Sequence, residues 1–209
     1  MFRGLSVLIV IINSYGFVSA NDGFPVGYII TNDNDTLVVK IKAKRNVFSC
    51  YKTVEYRIAG SEELKTKDAN EVKRYYYTHK GVFYDFISQK IDTLENPDQK
   101  DERVFIRVEA IGYLTLYSFV EKSVGVSSIY SGGSLAIIPY PKKTIRYAID
   151  VNNGEGFTEI KSGKFIGQMV PLLSGNDELI SKIKNNEYAI CDIRDVVVMH
   201  NNWYYSRHK

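Results

Sequence analysis

The stretch from Thr36 to Lys44 sets Leu37, Val39, Ile41 and Ala43 against Thr36, Val38, Lys40, Lys42 and Lys44. A period of two sends these sets to opposite sides of an extended chain, the signature of a half-buried β-strand. Just before it, Tyr28, Ile29, Ile30 and Thr31 are β-branched or aromatic. Asn32, Asp33, Asn34 and Asp35 lie between the two runs and tolerate left-handed turns. The stretch therefore reads as a β-hairpin. Its acidic turn lacks the alternating ligands, central Gly and distal Glu of a calcium loop, so a plain turn is expected.

The same punctuation continues as far as Asp150. Further strands are predicted over Val47–Tyr51, Thr53–Ile58, Glu71–Thr78, Val82–Lys90, Val104–Ile111, Leu114–Glu121, Leu135–Ile138 and Thr144–Asp150. His79-Lys80-Gly81 marks a tight hairpin through the positive φ that Gly allows, and Gly112 is expected to act the same way. In RVFIRVEA, Val104, Ile106, Val108 and Ala110 share one face and Arg103, Phe105, Arg107 and Glu109 the other. One face is expected in a core and the other in water. Thr93–Arg103 is charged and carries Pro97, so it reads as an exposed loop. Ser127–Ser134 is small and Gly-rich and is expected to turn or bend.

After Gly156 the period lengthens. Phe165, Ile166, Met169, Leu172 and Leu173 recur at helical spacing, although Pro171 must kink or end a helix there. Asn176 and Asp177 offer capping side chains, and Ile193, Val196, Val197 and His200 recur at i, i+3, i+4 and i+7. The expected fold is α+β: an antiparallel β-rich region over residues 21–155, barrel-like or sandwich, with a helical segment over 156–209 packed on the same domain.

The first twenty residues, MFRGLSVLIVIINSYGFVSA, have a basic start, a short apolar run and Val18-Ser19-Ala20 at a cleavage position. They predict a signal peptide over residues 1–20 and a mature chain with no transmembrane helix, periplasmic or extracellular. Losing Arg3 lowers the formal charge from +3 to +2, too little to argue for nucleic acid or an acidic membrane. An exported chain can oxidise its two cysteines, Cys50 and Cys191. A bridge between them would close a loop worth roughly 4 to 5 kcal/mol in the chain-entropy view. Alternatively each is a small buried hydrophobe.

No HExxH, P-loop, dinucleotide fingerprint or metal-spaced cysteine pair is present, so no cofactor, metal or catalytic residue is assigned. His200 falls on an apolar helix face, where a core imidazole is the ordinary role. Cys191 lies nine residues before it, on the far side of any continuous helix. Carboxylates converging from separate strands, as in an envelope hydrolase, are the alternative that local motifs do not address. The stretch KRYYYTHKGVFYDF is more informative. Alternation puts Lys73, Tyr75 and Tyr77 on one side and Arg74 and Tyr76 on the other, with Phe83 and Tyr84 split across the turn. One side must face out, and Tyr with Arg anchors many interfaces. Routine cross-strand ring pairing accounts for the same pattern.

GYIITNDNDTL, VEAIGYLTLYSF, GKFIGQMVPLLSGNDELISKIKNNEY and DIRDVVVMHNN occur in that order. Together they resemble an uncharacterised family of exported proteins of Gram-negative bacteria. That family has a hairpin of the form dG.I...GDTL.G.I, a later G...LY strand and a helical segment ending near a YN pair. Here Asn34 replaces the usual Gly of the hairpin, and His200 the final aromatic. The resemblance implies export and a similar fold but assigns no site. The expected function is a non-catalytic envelope module contacting protein or glycan through Lys73, Arg74, Tyr75, Tyr76, Tyr77, Phe83 and Tyr84.

Overall fold

The structure, a computed structural model, describes residues 23–43, 52–90, 103–131, 134–151 and 156–208. The expected signal peptide, Cys50, the expected strand Val47–Tyr51 and almost all of the charged loop before Arg103 lie outside the described residues. Among the described residues ten strands form one antiparallel sheet: β1 Val26–Thr31, β2 Thr36–Ile41, β3 Thr53–Arg57, β4 Lys65–Asp68, β5 Val72–His79, β6 Val82–Lys90, β7 Arg103–Ala110, β8 Leu114–Ser131, β9 Ser134–Val151 and β10 Thr158–Ile160. Helices α1 Phe165–Leu172, α2 Asp177–Lys184 and α3 Ile193–Arg207 follow. The fold is thus α+β and β-rich with a helical end, as its periods indicate. Strand order is β10-β9-β8-β7-β6-β5-β1-β2-β3-β4, and the sheet does not close. Edge strand β4, Lys-Thr-Lys-Asp, is too short and charged to recruit another chain. The same lack of apolar period hid it from sequence reading.

The turns explain the hairpins. Asn34 sits at φ 67°, the left-handed region a glycine would occupy freely. Its N–H donates to the Thr31 carbonyl at 3.0 Å, and the Thr31 N–H to the Asp35 carbonyl at 2.9 Å. Between β5 and β6 the loop is only Lys80 and Gly81, at φ 51° and 76°, flanked by the His79↔Val82 pair. Two successive positive φ values match the twist of the flanking strands.

Gly112 needs a different account from the one its sequence suggests. Its φ lies outside the left-handed region, and a Cβ there would come within 2.3 Å of the Asn201 amide. Close approach of α3 requires the glycine. Asn201 in turn accepts from the Leu114 N–H and donates to the Leu114 carbonyl, both at 2.8 Å. A helix side chain thereby satisfies strand backbone that β7, ending at Ala110, does not reach.

Two cores share one face of the sheet. At the β8–β10 end, Leu114, Leu116, Ile149 and Ile160 pack against Phe165, Met169, Leu179, Ile183, Val196 and Val197 of the helices. Asn176 caps α2, its Oδ1 accepting from the Leu179 N–H at 3.3 Å. Pro171 lies inside α1, where it removes the N–H that would bond the Gly167 carbonyl, and the helix ends one residue later at Leu172. At the other end the sheet curls, bringing Val54, Tyr56, Ala69 and Val72 over Ile29, Tyr75, Phe86 and Phe105. The Ser88 hydroxyl donates to the Ala69 carbonyl at 2.5 Å and holds the curl shut.

The opposite face carries a third core of Val104, Ile106, Tyr117, Phe119 and Ala148. β7 therefore lies between cores. Phe105, expected in water with Arg103, is 1% exposed. Alternation holds from Val104 to Val108, but a register shift before Ala110 turns that residue to the helical core, and an interior strand buries apolar residues on both sides.

The largest departure from expectation is in β8 and β9. Rather than three short strands and a bend at Ser127–Ser134, they form one continuous ladder from Leu114↔Val151 to Ser131↔Ser134. β7 pairs with β8 no further than Ser118, and β10 with β9 only at residues 147–149. The remainder is a two-stranded arm. Pro139 and Pro141 hid this strand from sequence reading, because proline is excluded from central strands. In an arm both strands are edges. Two residues apart, both prolines take the same phase of the ladder, in which the nitrogen points away from β8.

Candidate functional site

The β5–β6 hairpin divides the seven expected surface residues. Tyr75 and Tyr77 are 1% and 3% exposed and belong to the curled core, so neither contacts a ligand. Tyr75 stacks on Phe86 at 4.7 Å and meets Phe105 edge-on at 4.8 Å. Tyr84 is half-buried on the same side, stacked on Tyr77 at 5.1 Å and beneath the Arg107 guanidinium. These three build the sheet. Lys73 is exposed and donates from Nζ to Asn34 Oδ1 at 3.2 Å, tying the strand to the first turn.

Arg74, Tyr76 and Phe83 emerge on the opposite face, where register adds residues the sequence did not single out. Tyr28 lies directly across from Tyr76 on one side and Val38 on the other. The rings run in a row: Tyr28 to Tyr76 at 5.0 Å, Tyr76 to Phe83 at 5.9 Å. Phe83 and Val38 are 56% and 52% exposed, and Val26 completes the apolar margin. Beside the row, Arg74 Nε donates to Asp85 Oδ1 at 2.8 Å and Nη2 donates to Oδ2. The forked pair raises the Arg74 pKa, chiefly through its hydrogen bonds to Asp85. Asp85 is buried while Arg74 reaches solvent, so the aromatic row ends on a fixed cation.

Farther along this face a shallow cavity of about 200 Å³ is lined by Ile87, Gln89, Tyr117, Asp150, Gly156 and Phe157. Burial, then the neighbouring Asp150 carboxylate, pushes the Tyr117 hydroxyl pKa up, keeping it a donor. Asp150 Oδ1 is buried with no hydrogen-bond partner among the described residues. Among the described residues on this face, the Asp85 carboxylate is committed to Arg74 and the Asp150 carboxylate lines the cavity.

Elsewhere the reactive groups are structural. His200 is 1% exposed, its ring 5.4 Å from Trp203 and 6.0 Å from Tyr113, and burial lowers its pKa. It is a core residue of α3, as its helical position implied. Cys191 is exposed in the turn before α3, its Sγ 3.5 Å from Asp192 Oδ2. Its expected partner Cys50 is outside the described residues. Among the described residues, no three His, Cys, Asp or Glu side chains converge as a metal site needs, and no helix is long and apolar enough to cross a membrane. No family model, curated protein or solved structure matches this chain.

Proposed function

We propose that this chain is a non-catalytic interaction module of the cell envelope that grips a protein partner on the outer face of β1, β2, β5 and β6. The observation behind this reading is the Val38, Tyr28, Tyr76, Phe83 row ending on the Arg74–Asp85 pair. Exposed aromatic and aliphatic area around a held guanidinium has the composition of an interface hot spot. Ring orientation favours protein over glycan. Sugars stack on open ring faces, whereas Tyr28 and Tyr76 pack with only 24° between their planes. What they offer outward is edges and hydroxyls.

The test is a photo-crosslinking amino acid placed at position 83, at 38 and, as control, at the exposed Glu178 of α2. A discrete adduct from 83 and 38, absent from 178 and lost on Tyr76→Ala, is expected in intact cells. Equal adducts from all three positions would refute the surface. A thermal shift with glycan fragments but no adduct would transfer the face to a glycan ligand.

A further inference from the structure

The arm of β8 and β9 exposes what soluble chains hide. Val126, Tyr130 and Ile137 are 69%, 77% and 65% exposed, and Ile138 and Tyr140 are 46% and 45% exposed. Register pairs Val126 with Pro139 and Ser128 with Ile137, so Val126, Tyr130, Ile137 and Pro139 lie on one face of the ribbon. Residues 123–141 contain no Asp, Glu, Lys, Arg or His. At the base, Lys122 is paired with Lys143, and Ser123 with Lys142. Like charges directly across a ladder destabilise it unless an anion sits nearby. From that rung to the tip the ribbon measures roughly 30 Å at ordinary strand rise. An isolated two-stranded ribbon is marginal in water, and an exposed apolar patch on one marks a contact surface.

We propose that the arm lies in the interface of an anionic lipid bilayer, its Val126–Ile137 face toward the acyl chains and its basal lysines on the headgroups. The chemistry selects this occupant. A lysine rung at the end of an uncharged, Tyr-bearing segment matches a phosphate layer above hydrocarbon. Open backbone edges along both strands bar a single ribbon from spanning the hydrocarbon, whereas the hydrated interface satisfies them. A second copy adding to the β9 edge would meet Pro139 and Pro141, which offer no N–H. Attachment is therefore peripheral and would hold the body, with its aromatic face, close to the membrane.

The experiment compares the full chain carrying Tyr130→Trp with the unsubstituted chain, whose Trp203 sets the background, so that the difference in emission reports the environment of the tip. It is mixed with vesicles of phosphatidylcholine alone or with an equal part of phosphatidylglycerol. A blue shift and flotation with the anionic vesicles only are expected, weakened by salt and unaffected by inorganic phosphate. Lys142→Gln and Lys143→Gln should each lower partitioning about fivefold. Ile137→Asp should lower it at least about tenfold. Because these positions are exposed, the melting temperature of the body stays unchanged, which separates lost binding from lost folding. No partitioning by the folded chain, or full partitioning by Ile137→Asp, overturns the proposal. So does a dimer in vesicle-free sedimentation that Ile137→Asp abolishes, which would assign the arm to a second copy.

Discussion

Asn201→Ala tests how the helical end is fastened to the sheet. The Asn201 amide makes two buried hydrogen bonds, both 2.8 Å, to the N–H and C=O of Leu114, a residue with no exposed surface. Truncation strands one donor and one acceptor. Each costs about 1 to 3 kcal/mol when buried without a partner, so a total loss of about 2 to 6 kcal/mol is expected. For a chain of this length that is a drop of roughly 4 to 24 °C in melting temperature. Urea unfolding followed by Trp203 fluorescence, on the same helix, measures it, with the exposed neighbour Asn202→Ala as control at about 0.5 kcal/mol or less. Asn201→Asp is the sharper variant. It retains an acceptor for the N–H but sets a second oxygen against the Leu114 carbonyl. Its carboxyl pKa is therefore raised in the fold, and stability is lost as pH rises from the ordinary carboxyl value to the raised one. Gly112→Ala should act by pushing on the same amide, so the double variant with Asn201→Ala should cost less than the sum of the singles by about 1 kcal/mol. A loss below about 1 kcal/mol for Asn201→Ala, or strict additivity with Gly112→Ala, would refute the reasoning.

Tyr75→Ala, which empties a core site, should cost about 3 to 5 kcal/mol, whereas the half-exposed Tyr76→Ala should cost about 1 kcal/mol; equal midpoints in urea would contradict the assigned faces. Lys80→Asn places the preferred Asn-Gly pair in a loop whose φ values are both positive, and should stabilise by about 0.5 to 1 kcal/mol. A lower melting temperature would count against that turn geometry. Burial lowers the His200 pKa, so as pH falls below about 6.5 the unfolded chain takes up a proton that the folded chain resists. Stability is then full above the unfolded value and declines as pH falls toward the folded one. His200→Phe should flatten that decline, and an unchanged slope of urea midpoint against pH would exclude His200 as its source.

Much of the architecture was legible because it follows from period alone. Val39 and Ile41 point into a core, Val82–Lys90 is a strand end to end, and Ile193, Val196, Val197 and His200 form one buried helix face. What failed to show depends on neighbours remote in sequence. Nothing local says that Phe105 has a core behind it, or that Gly112 yields to an amide from α3. Nor does the run of tyrosines reveal which side is outer, since Tyr75 and Tyr76 differ only in what the sheet curls over. Tyr28 enters the candidate surface through its pairing across β1 and β5, a register no periodicity contains. The arm did leave a signal, the uncharged run from 123 to 141. Glycine and proline punctuation obscured it because those residues are read as breaks wherever they stand.

β1, the earliest described strand, lies inside the sheet, paired to β2 on one side and β5 on the other. Its partner Tyr77 comes fifty residues after Gly27. Closing so long a loop is slow relative to making the hairpins that precede it. During synthesis the β1–β2 hairpin must therefore wait, with one edge unpaired, until β5 has been made. Gly27 tightens the requirement, since its α-carbon packs so closely on the Tyr76 carbonyl and Tyr77 that any side chain would collide. The earliest described strand thus takes an interior place in the sheet, and cannot be paired on both sides until more than a third of the chain exists.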